Sequence, residues 1–213
     1  MKRQTLKRLW WPPLFAAMIA TGAQAWEASL LTEAVAVDGM VTRLPEFSIS
    51  RPPGTKIPVT AASPLEIARA DSGGSPARAG IVAADAPGWQ EYRVTKTRTG
   101  EVMSLSVFSL VTADAVDERG HLGEFRVGGY PKKRLRNLAI YDPPPGFIRV
   151  DERTREKKVS PNFRLGQFLC KQVGGYPKYL ALDPALLVKL EKILAALNAA
   201  GRRTDSLHVM SGY

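Results

Sequence analysis

Trp89-Gln90-Glu91-Tyr92-Arg93-Val94-Thr95-Lys96, then Thr97-Arg98-Thr99-Gly100-Glu101, then Val102-Met103-Ser104-Leu105-Ser106-Val107-Phe108-Ser109-Leu110-Val111, is the stretch whose pattern sets the fold class. Its first part alternates large apolar with polar side chains, the two-residue period of a half-buried strand. Its last part is rich in strand-forming residues and follows a Thr99-Gly100 turn, so 89–96 and 101–111 read as a β-hairpin. Upstream, Arg51-Pro52-Pro53-Gly54-Thr55 reads as a turn and Lys56 to Thr60 as a short strand. Asp71-Ser72-Gly73-Gly74-Ser75-Pro76 has no apolar periodicity and reads as a loop. Short strands at this spacing, without a long helix, predict a small β-sandwich-like domain over 26–150. Pro143-Pro144-Pro145-Gly146 closes it with an extended, stiff connector.

Downstream the pattern changes. Asp151 to Lys158 is dense in charge, and 151–159 reads as a linker. In the run that follows, Phe163, Phe168 and Leu169 suit the apolar face of a short helix. Asp183-Pro184 is a helix start, with an Asp cap and Pro at the first helical position. Leu186, Leu187, Leu190, Ile193, Leu194 and Leu197 then recur at helical spacing, and Gly201 ends the helix, predicting α-helix over 184–200. Lys189, Glu191, Lys192 and Asn198 fall on its polar face. Ser206 to Ser211 reads as a strand. The expected class is therefore α+β, a β-rich part followed by a short helix, a long helix and a strand.

The N-terminus reads as an export signal. Lys2, Arg3, Lys7 and Arg8 form a basic region, Leu14 to Ala20 is apolar, and Ala23-Gln24-Ala25 is a small-x-small cleavage site. The apolar run is shorter than the roughly 20 residues that span a bilayer. Residues 1–25 are expected to be removed, leaving no stable membrane span and a chain beginning at Trp26 in the periplasm or outside the cell. Four positive charges leave with them, so the formal charge falls from +10 to +6. An exported chain is not expected to meet nucleic acid, and a modest positive charge suits anionic surfaces such as cell-wall polymer. The basic residues cluster at Lys132-Lys133-Arg134 with Arg136, and between Arg149 and Lys158. The simpler reading of both clusters is a solvated loop and linker, and the other is a binding patch.

Among the 213 residues, 45% are hydrophobic and 23% charged, which excludes wholesale disorder, a collagen-like chain and a polytopic membrane protein. Cys170 is the single cysteine, so an intramolecular disulfide and a cysteine-built zinc site are both excluded. Catalytic zinc takes three protein ligands, but only two histidines occur. His121 reads as a solvated turn residue and His208 as a packed strand residue. Cys170 reads as a helix-face cysteine with no indicated base. No nucleophile elbow, phosphate loop or dinucleotide fingerprint occurs. Val127-Gly128-Gly129-Tyr130-Pro131-Lys132 recurs as Val173-Gly174-Gly175-Tyr176-Pro177-Lys178, which reads as convergent loop chemistry because the flanks differ and the period does not continue. No complete active site assembles from these residues.

The C-terminal third carries a resemblance. Ser160-Pro161-Asn162-Phe163-Arg164-Leu165-Gly166-Gln167-Phe168-Leu169 resembles the opening segment of bacterial zinc D-alanyl-D-alanine carboxypeptidase-like proteins, with Gln167 where that family commonly has Glu. The helix over 184–200 is similar to the helix that follows it there. His208-Val209-Met210-Ser211-Gly212-Tyr213 resembles the end of the family's first core strand, which continues into an Arg at the substrate cleft. Gly128-Gly129-Tyr130-Pro131 and Pro144-Pro145-Gly146-Phe147-Ile148 resemble an accessory domain of longer members. The resemblance spans about 120–213.

It implies that 26–150 is an accessory domain and 160–213 the start of an α+β peptidase domain, with Ser211, Gly212 and Tyr213 as a lead-in to the cleft. It implies an exported zinc peptidase acting on peptidoglycan or muropeptide, in which metal-bound water attacks a terminal amide. Family zinc ligands follow the Ser-Gly-Tyr-Arg motif, whereas this chain ends at Tyr213. No catalytic or metal residue is therefore assigned here, and the chain alone is expected to be inactive and without zinc. The alternative is a non-catalytic envelope module that binds cell wall or a partner.

Overall fold

Val35–Val37 (β1) and Met40–Thr42 (β2) form the first hairpin of the computed structural model, which describes residues 29–70, 80–130, 133–138 and 141–209. Its two-residue turn is Asp38-Gly39, with φ of 48° and 80°, the left-handed pair that matches strand twist. Glu46–Arg51 (β3), Lys56–Ile57 (β4), Val59–Ala61 (β5), Leu65–Arg69 (β6) and Ile81–Val82 (β7) follow. The strand expected over 56–60 is split at Pro58, which lacks an N–H for a ladder. Its first half pairs with β7 and its second with β1.

The expected hairpin is present as Gly88–Lys96 (β8) and Val102–Ser109 (β9), antiparallel from Gly88 opposite Ser109 to Thr95 opposite Val102. It forms the centre of a four-stranded sheet in the order β3-β9-β8-β6, in which β3 runs parallel to β9. Successive β9 residues face opposite sides. Met103, Leu105 and Val107 join a first core with Val35, Phe47 and Val94. Phe108 joins a second core with Val150, Val159, Phe163, Leu187 and Leu194. The sheet therefore has a core against each face near the end of β9. This is why Leu105 through Ser109 are buried without alternation.

Val111–Thr112 (β10), His121–Leu122 (β11), Phe125–Arg126 (β12), Gly146–Val150 (β13), Lys158–Ser160 (β14), Phe163–Arg164 (β15) and Lys178–Leu180 (β16) lead to the helix Pro184–Ala199 (α1). β10, β13 and β16 form a three-stranded antiparallel sheet. A side chain at Gly146 would begin 2.3 Å from the Val111 carbonyl oxygen, so only glycine fits where β10 meets β13. Residues 151–159, expected as a linker, hold a 3₁₀ turn at Thr154–Glu156 and most of β14. Lys158 of β14 is ion-paired with Glu46 of β3 at 3.0 Å.

The mixed α+β class holds. The short helix expected after Ser160 is instead the β14–β15 hairpin followed by a 3₁₀ turn at Leu165–Phe168. The long helix starts as read, with Asp183 accepting a hydrogen bond from the Ala185 N–H at 2.8 Å. It ends before Gly201, whose φ is +80°. The strand expected from Ser206 has no ladder over 206–209, and Met210 to Tyr213 lie outside the described residues, as do residues 1–28. No helix among the described residues is long and apolar enough to cross a membrane.

Candidate functional site

Pro161-Asn162 is the two-residue turn between β14 and β15, and it is bound to α1 by one carboxyl group. Glu191 is fully buried. It accepts hydrogen bonds from the Ser160 hydroxyl at 2.6 Å, the Asn162 backbone N–H at 2.8 Å and the Asn162 side-chain amide at 2.7 Å. This corrects its placement on the solvent face of the helix. Glu191 lies four residues after Leu187 and three before Leu194, inside the buried stripe. Burial of such a group is tolerable only because several donors replace water. Leu186 and Ile193, expected in the core, are instead 41% and 50% exposed. Leu190 is partly buried against the second core.

The remaining residues of the 160–169 motif have equally definite positions. Phe163, Leu165 and Phe168 are buried in the second core, with Leu169 packed against it. Gln167 accepts from the Arg164 N–H at 2.7 Å and donates to the Ser206 hydroxyl at 2.8 Å. Asn198 at the end of α1 exchanges two hydrogen bonds with the Thr204 backbone. The segment leading toward Ser211, Gly212 and Tyr213 is thus fastened at Thr204 and Ser206. Those three lead-in residues lie outside the described residues.

The two histidines do not converge. His121 in β11 is 3.6 Å from Asp117, whose carboxyl is held below its usual range chiefly by the His121 backbone N–H. His208, expected as a packed strand residue, is exposed in an irregular segment. Cys170 follows the 3₁₀ turn and is not on a helix. Among the described residues, no group of three or more His, Cys, Asp or Glu side chains could hold a metal ion. The zinc implied by the resemblance is thus not matched by a ligand set there, and no reaction step is derived through it.

Beside this unit, whose Leu165 N–H donates to the Lys157 carbonyl oxygen at 2.9 Å, the basic run 149–158 lines two clefts. The larger, about 520 Å³, is bounded by Trp89, Arg149, Asp151, Arg153, Thr154 and Lys157. The Lys157 ammonium lies 3.7 Å from the centroid of the Trp89 ring, a cation–π contact that fixes a long side chain in place. Asp151 accepts from the Thr154 N–H at 2.8 Å and the Arg153 N–H at 2.9 Å. The first of these bonds is the main reason its carboxyl is held below the usual range. Its charge therefore braces the turn that carries Arg153. The smaller cleft, about 200 Å³, is bounded by Glu46, Glu91, Ser104, Glu156, Lys157 and Lys158. Lys157 lines both. The basic run is therefore folded into concave surface, where a solvated linker was the simpler expectation. Trp89 was legible only as a strand residue, because its neighbours in space come from sixty residues downstream.

No protein-family model matches the chain, and no curated protein or solved structure matches it either.

Proposed function

We propose that the protein is an exported, peptidoglycan-directed protein of the zinc D-alanyl-D-alanine carboxypeptidase type. In this reading residues 160–213 form the beginning of the peptidase domain, and Ser211, Gly212 and Tyr213 lead into the cleft. The β-rich part is a sandwich-like accessory domain, built from the three sheets that share the first core. The signal at 1–25 sends the protein to the periplasm or beyond, and the partner is peptidoglycan or muropeptide, not nucleic acid.

One observation carries this reading. The residues of the quoted motif act as a single unit, with Ser160 and Asn162 bound to Glu191 and with Phe163, Leu165 and Phe168 packed beside Leu187. The alternative, a non-catalytic module that binds cell wall, draws support from the clefts around Lys157, which stand beside this unit and require no hydrolysis.

Export and wall binding are tested together on protein isolated from its host. N-terminal sequencing should begin at Trp26, and the protein should sediment with purified peptidoglycan sacculi. A cytoplasmic protein that begins at Met1 and stays in the supernatant would overturn both readings.

A further inference from the structure

Lys157 lines two clefts of opposite character. In the larger cleft three cationic side chains, Arg149, Arg153 and Lys157, face one carboxylate, Asp151, one oxygen of which accepts from backbone and hydroxyl donors of 153–154. Trp89 on its wall has an indole N–H that is buried without an acceptor. In the smaller cleft three glutamates face Lys157 and Lys158. Glu156 bonds to Arg155 and Glu91 to Ser104. Glu46 uses one oxygen on Lys158, while its other oxygen is buried without a donor. The larger cleft thus gathers cations, and the smaller gathers carboxylates.

We propose that the two clefts form one binding site for a short zwitterionic peptide. Its carboxylates sit in the larger cleft against Arg149, Arg153 and Lys157, and an ammonium group sits in the smaller one against Glu46 and Glu91. The larger volume lies within the range of ordinary small-ligand sites. Guanidinium groups bind carboxylates in paired hydrogen bonds, and Trp89 holds the Lys157 ammonium ready at the junction. A uniformly negative polymer is disfavoured, because its charge would continue into Glu46, Glu91 and Glu156. The inference stands on the clefts and not on the peptidase reading, since binding here requires no hydrolysis.

The test is calorimetric titration of the full chain with acetyl-Glu-Glu-Lys-amide. Three companion probes are acetyl-Glu-Glu-Gln-amide, acetyl-Gln-Gln-Lys-amide and tripolyphosphate. The zwitterionic peptide should bind most tightly, and loss of either charge type should weaken it about tenfold, the equivalent of one charge-assisted hydrogen bond. Lys157→Gln and Arg153→Gln should weaken it by a similar factor. Glu46→Gln should weaken the zwitterion while sparing acetyl-Glu-Glu-Gln-amide. Arg153 is exposed, so its replacement leaves the fold intact and keeps the test decisive if another variant fails to fold. Tighter binding of tripolyphosphate, equal binding of all three peptides, or no binding of any peptide would each overturn the proposal.

Discussion

Lys96 and Glu101, at the two ends of the β8–β9 turn, show how one polar pair is kept inside the first half of the molecule. Lys96 is only 2% exposed, and its ammonium donates to the Glu33 carbonyl oxygen and, at 3.0 Å, to Glu101. Glu101 also accepts from the backbone N–H and hydroxyl of Thr32 at 2.8 and 2.7 Å. The Thr32 backbone N–H, followed by its hydroxyl and by Lys96, lowers the carboxyl from 4.5 to about 2. A carboxyl depressed in the folded state adds stability above its unfolded value and loses it as pH falls through the folded value. Glu101→Gln should therefore cost about 1–3 kcal/mol near neutrality. The difference between variant and parent should shrink as pH falls from about 5 toward 2, measured by urea unfolding across that range. A difference that stays constant with pH would contradict this role for Glu101. Glu191 presents a second case. Glu191→Ala would leave the donors of Ser160 and Asn162 without their acceptor, at a cost of about 1–3 kcal/mol, read in the same unfolding experiment. A loss below 1 kcal/mol would show that water replaces the carboxyl easily. The burial of Lys96 and of Glu191 was not legible from residue type alone, because charged residues are rarely fully buried. The register of Glu191 between Leu187 and Leu194 was a usable signal.

At the scale of elements, the most legible features had local causes. The β8–β9 hairpin follows from alternation and a Gly100 turn, with φ of 71°, and α1 from Asp183, Pro184 and leucine spacing. The Asp38-Gly39 turn of the first hairpin carried an equally local signal, which the short flanking strands obscured. Features that failed to appear had non-local causes. The expected short helix at 160–169 gives way to a hairpin because Asn162 is held by Glu191, nearly thirty residues away. The apolar spacing of α1 marked six residues, yet a helix resting on one core buries only a stripe of them. Leu187→Ala should cost about 2–5 kcal/mol. Leu186→Ala and Ile193→Ala should each cost less than about 1 kcal/mol, with thermal unfolding as the check. Equal losses at Leu187 and Leu186 would mean that the helix faces another way.

For the whole molecule, the central relation is between a two-sided sheet and the chain segments laid on its second face. β9 carries the first core on one side and contributes Phe108 to the second. The run 151–159 is folded against β3 and β8, where it builds the clefts around Lys157. This arrangement was not legible in the sequence, since a dense run of charge looks the same on a linker as on a cleft wall. The motif at 160–169 was legible as a pattern, and two of its residues, Ser160 and Asn162, bond to one buried carboxyl. The proposal that this unit opens a peptidase domain directed at peptidoglycan peptides is tested most directly by binding. The protein, isolated from the host envelope, is titrated calorimetrically with a muropeptide ending in D-Ala-D-Ala and with the same muropeptide lacking both D-Ala residues. Tighter binding of the first is the predicted result. Equal binding of the two, or binding of neither, would contradict the peptidase reading.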